Sequence, residues 1–434
     1  MKRFFSNAGA SLALLLALWL WVVLPWMGVL GLIGLGALLL IFTQTGRLTL
    51  AAARLGIASL PQRWGAATVI VVGIAGVVGV LVAMLAMGEG FQATLNAAGN
   101  ENTAIVLRGG SQAESNSVIT REQVPILASL PGIERDANGK PLLSAELSQV
   151  VNLTAKSSGS DANVQFRGIG EDAFRVRDGV RIVAGRTPGT GLREIVVGRG
   201  AQAQFRGLEV GNELMLGNQQ WTVVGVFESG DAYESELWGD AQTLASTYQR
   251  RAYQSVLVRT GKEGFQAFKA AVDADPRLKL DVLTTRAYFA QQSGGLKTLL
   301  QVLGTVIGGI MGVGAVFGAL NTMYAAVAAR AREIATLRAI GFRGPPVVTA
   351  VMLETMLLAL IGGLLGGLVA WLVFNNYSVS TLGNNFSQVV FQFKVTPGLL
   401  WTGLKWALGM GLVGGLFPAL RAARLPIVTA LREV

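Results

Sequence analysis

Ala67-Thr-Val-Ile-Val-Val-Gly-Ile-Ala-Gly-Val-Val-Gly-Val-Leu-Val-Ala-Met-Leu-Ala-Met-Gly88 carries no charge and is followed at once by Glu89. A helix needs about 20 apolar residues to cross the hydrocarbon core of a bilayer, and this stretch meets that length. So do residues 299–324, 347–374 and 398–420. Between the first and second of these lies a long polar stretch, residues 89–295. The pattern predicts one large domain hung outside a membrane by both its ends.

A further apolar run, residues 8–42, is too long for one ordinary span. Pro25, with Trp26 and Gly28 beside it, breaks the run near its middle, where the aromatic ring suits an interface. We read a tight helical hairpin of two short spans. Lys2 and Arg3 ahead of the run also suit a secretory signal peptide, but no small-residue cleavage site follows and the apolar run continues.

Charge orients the spans. The chain has 36 Lys and Arg against 26 Asp and Glu; residues 89–295 hold 21 basic and 23 acidic of these, leaving 15 basic and 3 acidic elsewhere. Lys2, Arg3, Arg47, Arg54, Arg63, Arg330, Arg332, Arg338, Arg343, Arg421, Arg424 and Arg432 all fall at span ends on one side. The positive-inside rule makes that side the cytoplasm. A single N-terminal crossing would strand Arg47, Arg54 and Arg63 outside, so parity supports the hairpin. The plan is six spans, both termini cytoplasmic, with a short second outer loop at residues 375–397. Nucleic-acid binding would place the basic excess on a soluble face, and no such partner is expected.

Cysteine and histidine are both absent. Disulfides, thiol nucleophiles, Cys or His zinc sites and Ser-His-Asp triads are thereby excluded. No G-x-x-x-x-G-K-[ST] sequence occurs, so these residues form no Walker-type nucleotide site and no catalytic, metal or directly bound cofactor residues are assigned.

The outer stretch reads as α+β. Residues 104–107, 194–197, 220–227 and 255–258 alternate or are rich in β-branched types, as strands are. Leu214 to Val224 predicts a hairpin turning at Gly217-Asn218. Phe265, Phe268, Ala271 and Val272 recur at helical spacing before the stop Asp275-Pro276. Two lobes are expected, with a boundary near residues 140–190, and residues 156–163 form a hairpin tip or a mobile loop. The span at 67–88 and the span that opens after 295 both continue outward without proline, so each can extend as a helical stalk, although Gly88, Gly90, Gly294 and Gly295 weaken it.

Inside the spans, glycines recur at intervals of four: Gly304, Gly308 and Gly312; Gly314 and Gly318; Gly362 and Gly366; Gly363 and Gly367; Gly411 and Gly415. Such rows let helix backbones approach closely, within one chain or across a dimer seam. Glu354 and Lys405 lie near opposite span ends, where snorkelling or pairing is the expected state.

Between the second and third of the four core spans runs Ala329-Arg-Ala-Arg-Glu-Ile-Ala-Thr-Leu-Arg-Ala-Ile-Gly-Phe-Arg-Gly-Pro-Pro346. Ile334, Leu337 and Ile340 recur at helical spacing, Arg332, Arg338 and Arg343 supply charge, and Gly341 with Pro345 and Pro346 ends the helix. The pattern suits a short amphipathic helix lying on anionic lipid or docked on a protein partner.

Arg332-Glu-Ile-Ala-Thr-Leu-Arg-Ala-Ile-Gly341, with Val351-Met-Leu-Glu354 opening the next span, resembles the signature of ABC-transporter permeases of the MacB and FtsX type. The ending Phe417-Pro-Ala-Leu-Arg-Ala-Ala-Arg-Leu-Pro-Ile-Val-Thr-Ala-Leu-Arg432 is similar to that family's C-terminus, and Met84-Leu-Ala-Met-Gly-Glu-Gly90 to its span exit. Glu194-Ile-Val-Val-Gly-Arg-Gly200 and Trp221-Thr-Val-Val-Gly-Val-Phe227 resemble elements of its periplasmic core domain. The resemblance covers roughly residues 50–434.

It implies a bacterial inner-membrane permease subunit that works as a dimer with a separate ABC ATPase, the ATP and Mg belonging to that ATPase. Arg332, Glu333, Ile334, Leu337, Arg338, Ile340 and Gly341 would form the coupling helix, with Ile334, Leu337 and Ile340 as its packing face and Arg338 as a polar contact. Closure of the ATPase would be transmitted to the periplasmic domain, for export or extraction of a lipid, lipoprotein, peptide or drug. A periplasmic membrane-fusion adaptor and an outer-membrane duct are further implied partners. The expected fold is a polytopic α-helical membrane protein, four core spans plus an N-terminal hairpin, with an inserted α+β domain. Its segments are a hairpin (1–45), an amphipathic linker (46–66), first core span and stalk (67–98), periplasmic domain (99–285), stalk, second span and coupling helix (286–346), and third and fourth spans with the tail (347–434). The hairpin has no counterpart in the family's usual four-span plan. A membrane-anchored sensor or scaffold regulating an envelope factor is the competing function.

Overall fold

The structure, a computed structural model, describes residues 21, 24–58, 60–340, 344–383, 387–424 and 426. Its principal helices are α1 (Trp26–Phe42), α2 (Gln44–Ala58), α3 (Trp64–Ala97), α4 (Gly261–Ala274), α5 (Thr285–Ala329), α6 (Ala331–Ala339), α7 (Gly344–Phe374) and α8 (Pro397–Arg424). The described residues fall into two compact units: a membrane unit within 1–87, 300–375 and 394–434, and an outer unit within 88–299 and 376–393.

Among the described residues, four helical stretches are long and apolar enough to cross a membrane: Leu60–Ala97, Thr285–Ala329, Gly344–Phe374 and Pro397–Arg424. They are the four core spans expected from composition. The first arm of the expected N-terminal hairpin lies outside the described residues, apart from Trp21. Pro25, extended at φ −64 and ψ 155, starts the second arm, α1. The chain then bends by 94° into α2. Thr43 holds that bend, its Oγ1 donating to the Leu39 carbonyl at 2.6 Å and accepting from the Gly46 N–H at 2.9 Å. Helix α2 falls in the expected amphipathic linker and buries Thr49, Ala52, Ala53 and Gly56. Lys405, in the first half of α8, donates to the Leu24 carbonyl at 3.2 Å, while Trp21 Nε1 donates to the Lys405 carbonyl at 2.9 Å.

The glycine rows are packing faces within this chain. A Cβ added at Gly304 would lie 3.1 Å from Met84 Cβ, at Gly308 3.2 Å from Leu81, and at Gly312 3.4 Å from Met410 Sδ. At Gly362 it would lie 2.9 Å from the Val71 carbonyl, at Gly366 2.9 Å from Ala75 Cα, at Gly411 2.5 Å from Ala359 Cβ and at Gly415 2.8 Å from Thr355 Oγ1. The small residues thus let α3, α5, α7 and α8 close on one another where burial from water supplies little drive. Gly314 and Gly318, by contrast, face open space.

The outer unit is built on a ten-stranded sheet. Its strands are β1 (Thr103–Arg108), β2 (Leu143–Thr154), β3 (Asp161–Ile169), β4 (Arg181–Gly185), β5 (Glu194–Gly198), β6 (Glu213–Leu216), β7 (Gln219–Glu228), β8 (Leu237–Asp240), β9 (Ser255–Arg259) and β10 (Leu280–Thr284). The order is β10-β1-β9-β2-β3-β8-β5-β7-β4, with β6 on β7. The β3–β8 and β5–β7 pairs are parallel and the others antiparallel. Each predicted strand is present. Gly217 and Asn218, at φ 58 and 59, make the tight turn between β6 and β7, and residues 156–160 tip the β2–β3 hairpin. The expected two lobes share this one sheet, because the long β2–β3 pair carries the ladder across.

Residues 375–397 are more than the connecting loop expected. They contain a second hairpin, β11 (Ser378–Leu382) and β12 (Gln388–Gln392), that clusters with the outer unit, so this unit is assembled from two insertions. Ser378-Val-Ser-Thr381 alternates in β11 and Val389-Val-Phe391 form a β-branched and aromatic run in β12, with Val379 and Thr381 opposite Phe391 and Val389. Both patterns are strand signals in their own right.

Candidate functional site: a short helix between spans and a buried charge cluster

In the membrane unit, α6 follows α5 after a single residue. Arg330 is its N-cap, with φ −103 and ψ 9, and Ile340 its C-cap. The expected packing face is split. Ile334 is buried within its own unit together with Ala335. Leu337 and Arg338 are half-buried, whereas Arg332 and Glu333 are exposed and Ile340 is 70% exposed. Gly341 lies outside the described residues. The surface offered outward is therefore Arg332, Glu333, Thr336 and Ile340, flanked by Leu337 and Arg338. Behind α6, Arg330 Nη1 lies 2.9 Å from Glu354 Oε2 on α7, and Arg63 Nη1 donates to the Ala326 carbonyl at 3.2 Å. Glu354 is thus paired, as expected.

In the outer unit, the first residues of α5 lie beside the last turns of α3. Asn100 N–H donates to Thr285 Oγ1 at 2.8 Å, Thr285 Oγ1 to the Asn100 carbonyl at 3.0 Å, and Lys297 Nζ sits 3.0 Å from Glu89. Both helices remain unbroken through Gly88, Gly90, Gly294 and Gly295. At Gly99 a Cβ would come within 2.6 Å of Arg286 Cα, so a side chain there would part the two elements.

Next to this pair is a charge cluster that sequence reasoning missed. Arg167 on β3 places Nη1 2.8 Å from Glu114 Oε1 and 3.1 Å from Glu146 Oε2, and Nε 2.7 Å from Glu236 Oε2. Arg177 grips Glu146 in a fork, both contacts 2.7 Å, and lies over the faces of Tyr233 and Trp238. All these groups are buried. Ser255 donates to Glu114, Ser144 to Glu146 and Trp238 Nε1 to Glu236, so each carboxylate has a neutral donor besides its guanidinium partners. Burial alone would lower the Arg167 pKa, but Glu114 and Glu236 outweigh it and hold the group well above its usual value. Burial alone would raise Glu146, yet Arg177 and Arg167 hold it below the usual carboxylate range. Arg167 and Glu146 are thereby held in their charged forms by their partners, an arrangement suited to fixing geometry rather than to exchanging protons.

A cavity of about 50 Å³ joins the cluster to three other elements: Phe91 of α3, Tyr288 and Gln292 of α5, and Ser387 at the foot of β12. Ser387 Oγ donates to Gln165 Oε1 at 3.2 Å, Val390 N–H donates to Ser235 Oγ at 2.8 Å, and the Phe91 and Phe391 rings meet edge-on at 5.5 Å. Among the described residues no group of His, Cys, Asp and Glu could hold a metal ion. The sequence offered little signal: Arg167 and Glu146 fall on the polar sides of their strands, beside Gln165 and Ser144, and nothing in their spacing pairs them.

Residues 67–274 match the family described as MacB-like periplasmic core domain, and residues 305–427 match the FtsX-like permease C-terminal family. The chain belongs to the MacB/FtsX type of permease. The macrolide export ATP-binding/permease protein MacB of Vibrio parahaemolyticus is 24% identical over 83% of this chain and 56% of its own length. MacB 1 of Aeromonas hydrophila is 26% identical over 84% of this chain and 57% of its own length. The chain therefore spans a little over half the length of the curated relatives it matches. The crystal structure of the periplasmic region of MacB from Actinobacillus actinomycetemcomitans is 14% identical, with a TM-score of 0.33, over 44% of this chain and 92% of that one. Both matched families are permease-type, and this MacB/FtsX chain is a multi-pass membrane protein.

Proposed function

We propose that this chain is the membrane subunit of an ABC transporter in a bacterial inner membrane, coupling ATP hydrolysis by a separate ATPase to movement of its outer unit in the periplasm. The observation that carries the reading is α6: a short charged helix between two spans, with Ile340 70% exposed beside Arg332 and Glu333. An exposed isoleucine ringed by charge is a docking surface for a protein groove, since a purely lipid-facing helix gains little from acidic Glu333. Leu337 and Arg338 would complete the contact. The helix that leads into α6 is α5, which starts in the outer unit at Thr285. A push on α6 is thereby delivered to a helix whose other end lies among the outer strands.

ATP and Mg2+ would be bound by the ATPase, because the residues present form no phosphate-binding loop. A second copy of the permease, a membrane-fusion adaptor and an outer-membrane duct are proposed as further partners, and a lipid, lipoprotein, peptide or drug as the cargo. Co-purification from membranes tests the reading. An ATPase should accompany the wild-type chain, and Ile340→Glu or Leu337→Glu should remove it while leaving the permease in the membrane. Retention of all partners by both variants would instead support a sensor or scaffold.

A further inference from the structure

Arg330 is the joint between a span and the coupling helix. Its N–H donates to the Val327 carbonyl at 3.2 Å, closing α5, and its carbonyl accepts from Ile334 N–H at 2.9 Å, opening α6. The side chain reaches to another span. Nη1 meets Glu354 Oε2 on α7 at 2.9 Å, while Nε reaches Glu333 on α6 at 3.2 Å. The guanidinium is 11% and the Glu354 carboxylate 4% exposed. Helix α2 roofs the pair: Ala52 and Ala53 pack against Ala350 and Leu353, and a Cβ at Gly56 would lie 2.9 Å from Glu354 Oε2 and 3.2 Å from Arg330 Nη1.

A buried ion pair adds little net stability over an apolar pair of the same shape, so its presence here is better accounted for by the position it enforces. We propose that Glu354 is a positioning residue: through Arg330 it locks the α5–α6 joint to α7, so that force on α6 moves two spans together rather than rotating α6 alone. Helix α2 excludes water from the lock, and Gly56 is the position that lets it approach. The inference rests on the coupling role proposed above for α6, but its structural half can be read without any ATPase.

The chain has no cysteine, so cysteines introduced at Asn321 and Thr336 would be its only thiols. Spin labels there report the angle of the joint in the full chain in lipid nanodiscs. The wild-type background should give a narrow distance distribution. Glu354→Gln should broaden it, and the exchange of charges in Arg330→Glu with Glu354→Arg should restore it. In the complex with its ATPase, Glu354→Gln should lower transport per ATP by about tenfold, within the range expected for residues of a coupling network. If Glu354→Gln is not recovered in folded form, Gly56→Leu, which wedges the roof, and Glu354→Asp, which withdraws the carboxylate, should broaden the distribution in its place. An unchanged distribution in these variants, or failure of the charge exchange to restore it, overturns the lock. Broadening and restoration in a chain that binds no ATPase would uphold the lock and overturn only the transporter reading.

Discussion

Asp231 shows how one residue can make the outer unit sensitive to pH. Its carboxylate accepts from Tyr233 N–H at 2.9 Å and Ser229 Oγ at 2.5 Å, and it caps the turn Ala232–Ser235, which carries Tyr233 and Ser235 to the charge cluster and the β11–β12 hairpin. Burial pushes its pKa up to about 6 against those hydrogen bonds. With the folded pKa above the unfolded one, the folded state binds more protons between about pH 4 and pH 6, so Asp231's contribution favours folding at low pH and is lost as pH rises through 6. The loss is of order 3 kcal/mol. Asp231→Asn should therefore raise the melting temperature at about pH 8, raise it about half as much at about pH 5, and change it little below about pH 4, measured on the full chain in detergent. Glu146 acts oppositely: its lowered pKa gives stability that is present above the unfolded value and is lost on acidification. Removing Arg167 leaves buried Glu114 and Glu236 without a guanidinium partner and Glu146 with Arg177 alone. Arg167→Met should cost about 3–5 kcal/mol. The cost should be larger at high pH, because the unpaired carboxylates are then ionised, and thermal melts across pH would show it.

At the scale of elements, close approach decides what can change. Gly90 of α3 faces β12 so closely that an added Cβ would overlap the Gln392 carbonyl. Gly90→Leu should loosen the hairpin, and hydrogen–deuterium exchange should rise across Ser378–Leu382 and Gln388–Gln392 while β1 and β9 stay protected. In the membrane unit, Gly366→Leu pushes into Ala75 and should cost about 1–3 kcal/mol by overpacking, whereas Gly314→Leu, which meets nothing, should be tolerated by an isolated chain. Comparing the melting temperatures of the two variants tests this. These elements also show what a sequence makes legible. Span lengths, the Gly217-Asn218 turn and the helix stop at Asp275 follow from local rules, and each stands where the residues place it. The charge cluster does not, because Glu114, Glu146, Arg167 and Glu236 come from four segments far apart in sequence that only the folded chain brings together. The split face of α6 escaped for a related reason: helical periodicity shows that Ile334, Leu337 and Ile340 share a side, but not that Ile334 is already buried within the chain's own membrane unit while Ile340 is left exposed.

For the whole molecule, the uninterrupted length of α5 has a mechanical consequence. At 1.5 Å per residue its 45 residues extend about 68 Å, more than twice the hydrocarbon thickness of a bilayer. It contains no proline to dissipate a bend. As a lever of that length, a tilt of about 5° displaces its far end by about 6 Å, close to the pitch of one helical turn. A small angular error at its Ala329 end is thus magnified into a whole-turn error at the other. What such a helix conveys is an angle, and its fidelity depends on how firmly its base is held.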